Sequence, residues 1–350
     1  METTSSSINE FHTKDPIVKS PELSSSEIGN LFNTYMNVDM ISVFIKHLSQ
    51  HVEDSDIKSL VREAVQLYEQ RAKDIRDIME RNNLPQPVGF TAEDINLGAP
   101  RLYSDIFCIY YLFCLERAIM PINTITLGFL TRSDVREVFN QSTISSLKYL
   151  DKVTGTLLSK GLYIRYPNVA IHKVNDFVKK QNFLTGFLGD KRPSLALEIA
   201  SSYHLVFLNA MGKYLLTGFR QTARSKQVKN YIDRGINIID KIVDTFSAHL
   251  KDEDVPVPMF WDSMVTDSVE PPVSDKIMMY HIRFISICGA MEYSYLMALN
   301  LRHGVKAKYL FTMTEAGDFA EDGTNILIDN HWFEEPPRLV DRKNLVSKMH

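Results

Sequence analysis

The chain has 350 residues, enough for two domains of ordinary size with a core in each, and its 39 basic and 43 acidic side chains leave a formal net charge of −4. With both signs interspersed, that balance argues against the basic stripe of a nucleic-acid binder and against a polybasic membrane-surface segment. The three cysteines, Cys108, Cys114 and Cys288, lie in apolar stretches without the close pairing of a zinc or redox motif, which predicts buried free thiols. The N-terminus shows no basic n-region or apolar h-region, so the expectation is a chain that stays in the reducing cytoplasm.

Residues 1–22 are polar and Ser-rich, too poor in apolar surface to offset ordering entropy, and read as a disordered tail. Ser24 with Glu27 three residues later forms a capping-box pattern, flanked by Leu23 and Ile28 as a hydrophobic staple. The first helix then carries Leu31, Tyr35, Val38, Ile41, Ile45 and Leu48 at spacings of three and four. Glu53, Asp54 and Asp56 open a second helix, where negative charge suits the N-terminal dipole, with Ile57, Leu60, Val61, Ala64, Tyr68, Ile75 and Met79 inward. Pro85 and Pro87 stop it, and a loop follows.

Residues 106–115 have no charge and are apolar on every side, which marks a helix enclosed by protein. The run falls well short of the roughly 20 residues needed to cross a bilayer. Pro121 is expected to kink this third helix or end its first segment. A fourth helix runs from about Ser133 to Gly161, with Gly161 as the left-handed residue beyond its end.

The order then repeats at an offset of roughly 170 residues: Ser104-Asp105 returns as Ser274-Asp275, and the stripe of the second helix returns as Val228, Tyr231, Ile232, Gly235, Ile239, Ile242 and Phe246. In this register Gly161 corresponds to Asn330, which is expected to take the same left-handed cap. No hairpin signal separates two alternating segments, so the fold class is all-α, with four-helix bundles over residues 23–167 and 195–337 and a C-terminal tail over 338–350.

The connector, residues 168–194, is basic but carries Phe183, Leu184, Phe187 and Leu188 among Gly186 and Gly189, with Arg192 and Pro193 ahead of a helix start at Ser194. Four large apolar side chains predict a segment buried against both bundles, an interdomain clasp, with Arg192 reaching a carboxylate or helix end on the neighbouring bundle. The connector pattern, leading into Leu197-Glu198-Ile199, together with Asn330-His331-Trp332-Phe333-Glu334-Glu335-Pro336-Pro337, resembles a family of duplicated helical-bundle proteins from endospore-forming bacteria, similar to spore coat protein F. The resemblance implies two tandem ferritin-like four-helix bundles and a structural or interaction role associated with the spore coat or sporulation. It brings no catalytic residue with it.

Ferritin-like bundles raise the question of a di-metal centre, which takes a Glu-x-x-His pair from each of two helices. No histidine within the helical units has a glutamate three positions earlier. His281 and Glu292 share a helix, yet eleven residues hold them roughly 16 Å apart, too far for one ion. Glu116 and His204 are lone polar groups on apolar helices, and with His281 and Glu292 they form the weak candidates for a polar core. Phosphate-loop, nucleophile-elbow and dinucleotide fingerprints are absent, and residues 315–322 lack the ligand pattern of a calcium loop. Neither catalytic, metal nor cofactor residues are therefore assigned. Two function classes stay open: a non-enzymatic structural or interaction protein, with a protein partner or self-association, and a bundle binding a small molecule or metal, with redox activity as one form of it.

Overall fold

The structure is a computed structural model, and it describes residues 21–171, 177–186, 192–259, 264–340 and 342. Among them are eight long helices: α1 (Ser25–His51), α2 (Ser55–Arg81), α3 (Asp105–Leu127), α4 (Ser133–Ser159), α5 (Ala196–Thr222), α6 (Lys226–Asp252), α7 (Asp275–Leu299) and α8 (His303–Asp329). Two tandem four-helix units result, each built from two helical hairpins: α1–α2 with α3–α4, then α5–α6 with α7–α8. None of these helices is long and apolar enough to cross a membrane.

The odd-numbered helices are wetted least. Met40 to Ile45 on α1, Phe107 to Phe113 on α3, Ser201 to Phe207 on α5 and Ile277 to Ile282 on α7 are each buried without a break, around the full helix circumference. A helix can be buried on every side only if protein lies on every side. Here α1 packs on α7 and α3 on α5, so the odd helices are enclosed between their own unit and the other. Helices α2 and α6 lie outside and carry one-sided stripes, as Ile57, Leu60, Val61, Ala64 and Tyr68 do on α2.

The loops entering α3 and α7 pair with each other across the units. Ser274 donates its N–H to the Asp94 carbonyl at 2.9 Å, and Ser104 donates to Met264 at 3.0 Å; Asn96 donates to Pro272 at 2.8 Å, and Thr266 to Leu102 at 2.9 Å. Each bond has its partner under exchange of the two units. The arrangement is that of an isologous dimer whose halves have been joined in one chain. Tyr103 extends the pairing, donating from its hydroxyl to the Leu215 carbonyl at 2.8 Å. Gly218 permits this approach, since a Cβ there would sit inside contact distance of the Tyr103 ring.

Within each unit two carboxylates tie the helix starts together. Glu27 closes the expected capping box with Ser24 and also accepts from the N–H groups of Thr131 (2.9 Å) and Arg132 (2.8 Å) at the start of α4. Glu198 does the same in the second unit, accepting from Leu195 at 2.9 Å and from Leu301 and Arg302 at 3.0 Å each. Asp105 accepts from Asp54 at 2.7 Å, and Asp275 from Ser225 at 2.7 Å, joining the starts of α3 to α2 and of α7 to α6. Orphan N–H groups at helix ends need acceptors, and one buried carboxylate here serves two ends at once.

Helix α3 runs through Pro121 to Leu127, so of the two outcomes expected at that proline an end of the helix is excluded. Two local expectations are corrected. The left-handed residue after α8 is His331 (φ 57°), not Asn330, so the true repeat pairs it with Gly161 (φ 66°) one position later than the sequence register suggested. The N-cap of α5 is Leu195 rather than Ser194, whose N–H and hydroxyl are taken by Glu253.

Burial would raise the carboxyl pKa values of Glu27 and Glu198, but backbone N–H groups at Glu27, and Arg192 with backbone N–H groups at Glu198, hold both at about 2 against an ordinary 4.5. A depressed folded-state value stabilises above the unfolded value and the benefit is lost as pH falls from 4.5 through 2. Glu27→Gln is therefore expected to cost about 2 kcal/mol at pH 7, and the gap from wild type should narrow steadily below pH 4.5. Urea denaturation at pH 7 and pH 3 checks this; a gap that stayed constant or widened in acid would contradict it.

Candidate functional site

The four polar candidates fall into three separate places. Glu116 is fully buried in the first unit, where Tyr68 donates its hydroxyl to Oε1 at 2.7 Å and Arg71 approaches both oxygens at 3.4 and 3.3 Å. Arg71 also donates to Ser146 at 2.7 Å and lies over the Tyr68 ring at 4.8 Å. Burial opposes the charge on Arg71, but Glu116 beside it raises its pKa on balance. The centre of the first unit is thus filled by an ion pair with its own hydroxyl partners. A cleft of about 160 Å³ lies beside it, lined by Val38, Ile75 and Phe139 together with Gln70, Arg71 and Asp74.

Counting from the helix starts, the second unit replaces every member of this group. Tyr68, Arg71, Glu116 and Ser146 become Ile239, Ile242, Ser286 and Ala316, while Ile41 and Ile119 become Gly212 and Gly289. All six replacements line one cavity of about 190 Å³, whose far side is formed by α3 of the first unit. Smaller side chains without a charge have left space where the first unit has packing. The polar lining groups are largely satisfied: Ser286 donates back to Ile282 at 2.8 Å, and Asn209 both donates to Leu205 (2.8 Å) and accepts from Tyr293 (2.9 Å). Cys114 and Cys288 also line the cavity, and burial pushes both thiols up to about 12, which leaves them protonated and unreactive.

His204 and Glu292 do meet, although on different helices: His204 Nε2 is 2.6 Å from Glu292 Oε1, and its Nδ1 is 2.8 Å from the Tyr166 hydroxyl. The arrangement makes Nε2–H the donor to the carboxylate and Nδ1 the acceptor from the tyrosine. Arg117 of α3 approaches the same imidazole at 3.2 Å and stacks over Phe113. Arg117 and Glu292 belong to the cavity lining as well, so this cluster joins both units at the edge of the space. His281 is fully buried elsewhere in the lining, with Nε2 at 3.1 Å from the Tyr111 hydroxyl, and burial lowers its pKa to about 3. Tyr111 and His281 occupy the same position in the two units, so they meet at the centre of the exchange symmetry.

Within the connector, Gly186 and Arg192 dock on the second unit, while residues 177–182 are exposed. Arg192 forms a bidentate pair with Glu198 at 2.8 and 2.9 Å, stacks over Phe183 at 4.2 Å and donates to the Phe183 carbonyl. Its partner is thus on α5, the helix it precedes, not on the neighbouring first bundle. Arg302 holds the Arg192 carbonyl, Pro193 is exposed, and Leu184 is half-buried. Gly186 packs directly on the backbone of Gly304. Phe187, Leu188 and Gly189 lie outside the described residues. Glu334, near the end of the chain, does bridge the units, accepting from Val88 at 2.9 Å and Gly89 at 2.7 Å.

Arg71, Tyr111, Arg117 and Tyr166 were not singled out from sequence. Arg71 carried one usable signal, since it falls on the inward stripe of α2 between Tyr68 and Ile75. The cavity carried another, in glycines standing where the other half has isoleucine. No group of three or more His, Cys, Asp or Glu side chains among the described residues is placed to hold a metal ion.

Breaking one half of a buried ion pair strands the other charge, so Arg71→Met should cost about 3–5 kcal/mol. Arg71→Met with Glu116→Leu removes both charges and should cost less than Arg71→Met alone, as measured by denaturant midpoints. A double variant as unstable as the sum of the singles would contradict the pairing.

No curated protein matches the chain. Among solved structures, a candidate spore coat protein of Bacillus halodurans C-125 is similar at 20% identity and a TM-score of 0.37, covering 43% of this chain and 98% of its own. A family described as "Protein of unknown function (DUF3231)" matches twice, over residues 12–174 and 182–345, one copy for each four-helix unit. The chain therefore belongs to the DUF3231 family and carries two tandem copies of its domain.

Proposed function

We propose that this chain is a non-enzymatic binding protein whose ligand, a small apolar molecule, occupies the cavity of the second unit, with the first unit as the scaffold that completes the wall. The observation that supports this reading is the divergence of the two halves: six positions that fill the first unit line an open space of about 190 Å³ in the second. An apolar cavity of about 150 Å³ stays dry and binds benzene or xenon, so a compound of roughly eight or nine heavy atoms suits this one. A redox or hydrolytic reading has less support, because the thiols are held protonated and the imidazole of the imidazole–carboxylate pair is already engaged by Tyr166 and Arg117. Association with the spore, suggested by the sequence resemblance, rests on that resemblance alone.

Isopropylbenzene, with nine heavy atoms, is the test ligand, and calorimetry is expected to show saturable binding at one site per chain. Gly289→Leu supplies the bulk that Ile119 has in the first unit, and a Cβ at Gly289 meets nothing nearer than Tyr293 at 3.8 Å. This variant should lose isopropylbenzene binding while gaining up to about 1 kcal/mol, since glycine within a helix is unfavourable. Absence of saturable binding by wild type, or undiminished binding by the variant, would overturn the reading.

A further inference from the structure

Among the described residues the cavity lining holds two charged side chains of opposite sign, Arg117 of α3 and Glu292 of α7. They come from different units and both are part-exposed, Glu292 with 32% of its side chain accessible, so they make a charged rim to an otherwise uncharged space. Each approaches the same atom of the His204 imidazole, Nε2, which lies 3.4 Å from the guanidinium and 2.6 Å from the carboxylate. The two charges therefore stand close without forming an ion pair. After burial itself, the groups acting on the Cys114 thiol are Arg117, which lowers its pKa, and Glu292, which raises it; Glu292 also raises that of Cys288. Both thiols belong to the lining, so the field of the rim reaches the cavity.

Neither charge is used up by the fold. Arg117 makes no ion pair among the described residues; its partners are the imidazole at 3.2 Å, the Tyr166 hydroxyl and the Phe113 ring at 5.0 Å, which take only part of its five donors. Glu292 gives Oε1 to His204, while its Oε2 has no hydrogen bond among the described residues. An anionic ligand could pair with Arg117 but would face the Glu292 carboxylate, and a cationic ligand would face the guanidinium; either like-charge approach costs free energy. A head that carries both charges meets an opposite charge on each side. Because the rim is part-exposed, such a head keeps some of its hydration.

Resting on the cavity reading above, we infer that the ligand class is a zwitterion with an apolar side chain, an amino acid of the phenylalanine or leucine type. Its carboxylate pairs with Arg117, its ammonium with Glu292 Oε2, and its side chain enters the cavity. The benzyl group of phenylalanine is within the volume that such a space admits, and the planar guanidinium matches a carboxylate.

Four probes separate the contributions: L-phenylalanine, hydrocinnamate without the ammonium, phenethylamine without the carboxylate, and isopropylbenzene with neither. Calorimetric titration of the full chain should place L-phenylalanine about tenfold above each singly charged analogue, the usual worth of one bond to a charged group. Arg117→Met should weaken L-phenylalanine and hydrocinnamate about tenfold, and Glu292→Gln should weaken L-phenylalanine and phenethylamine by as much. Each variant should also tighten the probe whose like charge it removes, phenethylamine for Arg117→Met and hydrocinnamate for Glu292→Gln, which no structural defect would do. Isopropylbenzene should change by less than twofold in both, showing the cavity intact. Binding of isopropylbenzene without preference for L-phenylalanine over the singly charged compounds, or variants that affect all charged probes alike, would overturn the zwitterion inference and leave the apolar site standing. Failure of wild type to bind any of the four would instead remove the site itself. Should a variant not fold, the wild-type ranking of the probes decides alone.

Discussion

Burial of the odd-numbered helices between two four-helix units is the constraint on which the rest of this molecule depends. Runs such as Phe107 to Phe113 and Ile277 to Ile282 have no polar side for solvent, so neither unit alone could satisfy them. Exchange-related bonds between the α2–α3 and α6–α7 loops fix how the units face each other, and the aromatic set Phe44, Tyr103, Tyr111, Phe219 and His281 packs in the seam. Because backbone groups make the loop bonds, the seam tolerates side-chain divergence on either side of it.

That tolerance explains how two copies of one domain came to differ inside. The carboxylate ties survive in both units, Glu27 with Glu198 and Asp105 with Asp275, because each satisfies several helix-end N–H groups at once and its loss would strand them. The central ion pair is different. Arg71 and Glu116 are mutually dependent, and a buried pair of this kind can be exchanged for apolar residues at little cost provided both members go together. In the second unit both have gone, and glycine and alanine at neighbouring positions leave the vacated volume open instead of refilling it.

Features governed by near neighbours were legible in the sequence. The Ser24–Glu27 capping box, the left-handed Gly161, the buried run of α3 and the order of eight helices all follow from spacing within a few residues. Features governed by distant partners were not. Glu116 was visible as a lone charge, but its partner Arg71 sits on another helix; Tyr111 and His281 are brought together only by the seam. The placing of Asn330 failed by one residue because a polar C-cap and the left-handed position after it have similar preferences, and here His331 occupies the latter. The connector drew attention through its apolar residues, whereas the ties between the units come largely from loop backbone, which leaves no mark in composition.

The central claim is that the second unit holds apolar open space where the first holds an ion pair. Crystals of the full chain equilibrated under xenon pressure test it directly, since xenon enters dry apolar cavities without needing a hydrogen bond. Anomalous scattering is predicted to place xenon between α3, α5 and α7, against Gly212, Ser286 and Gly289, with the first unit's Arg71–Glu116 centre unoccupied by xenon. Xenon at the equivalent place in the first unit, or none in the second, would contradict the account.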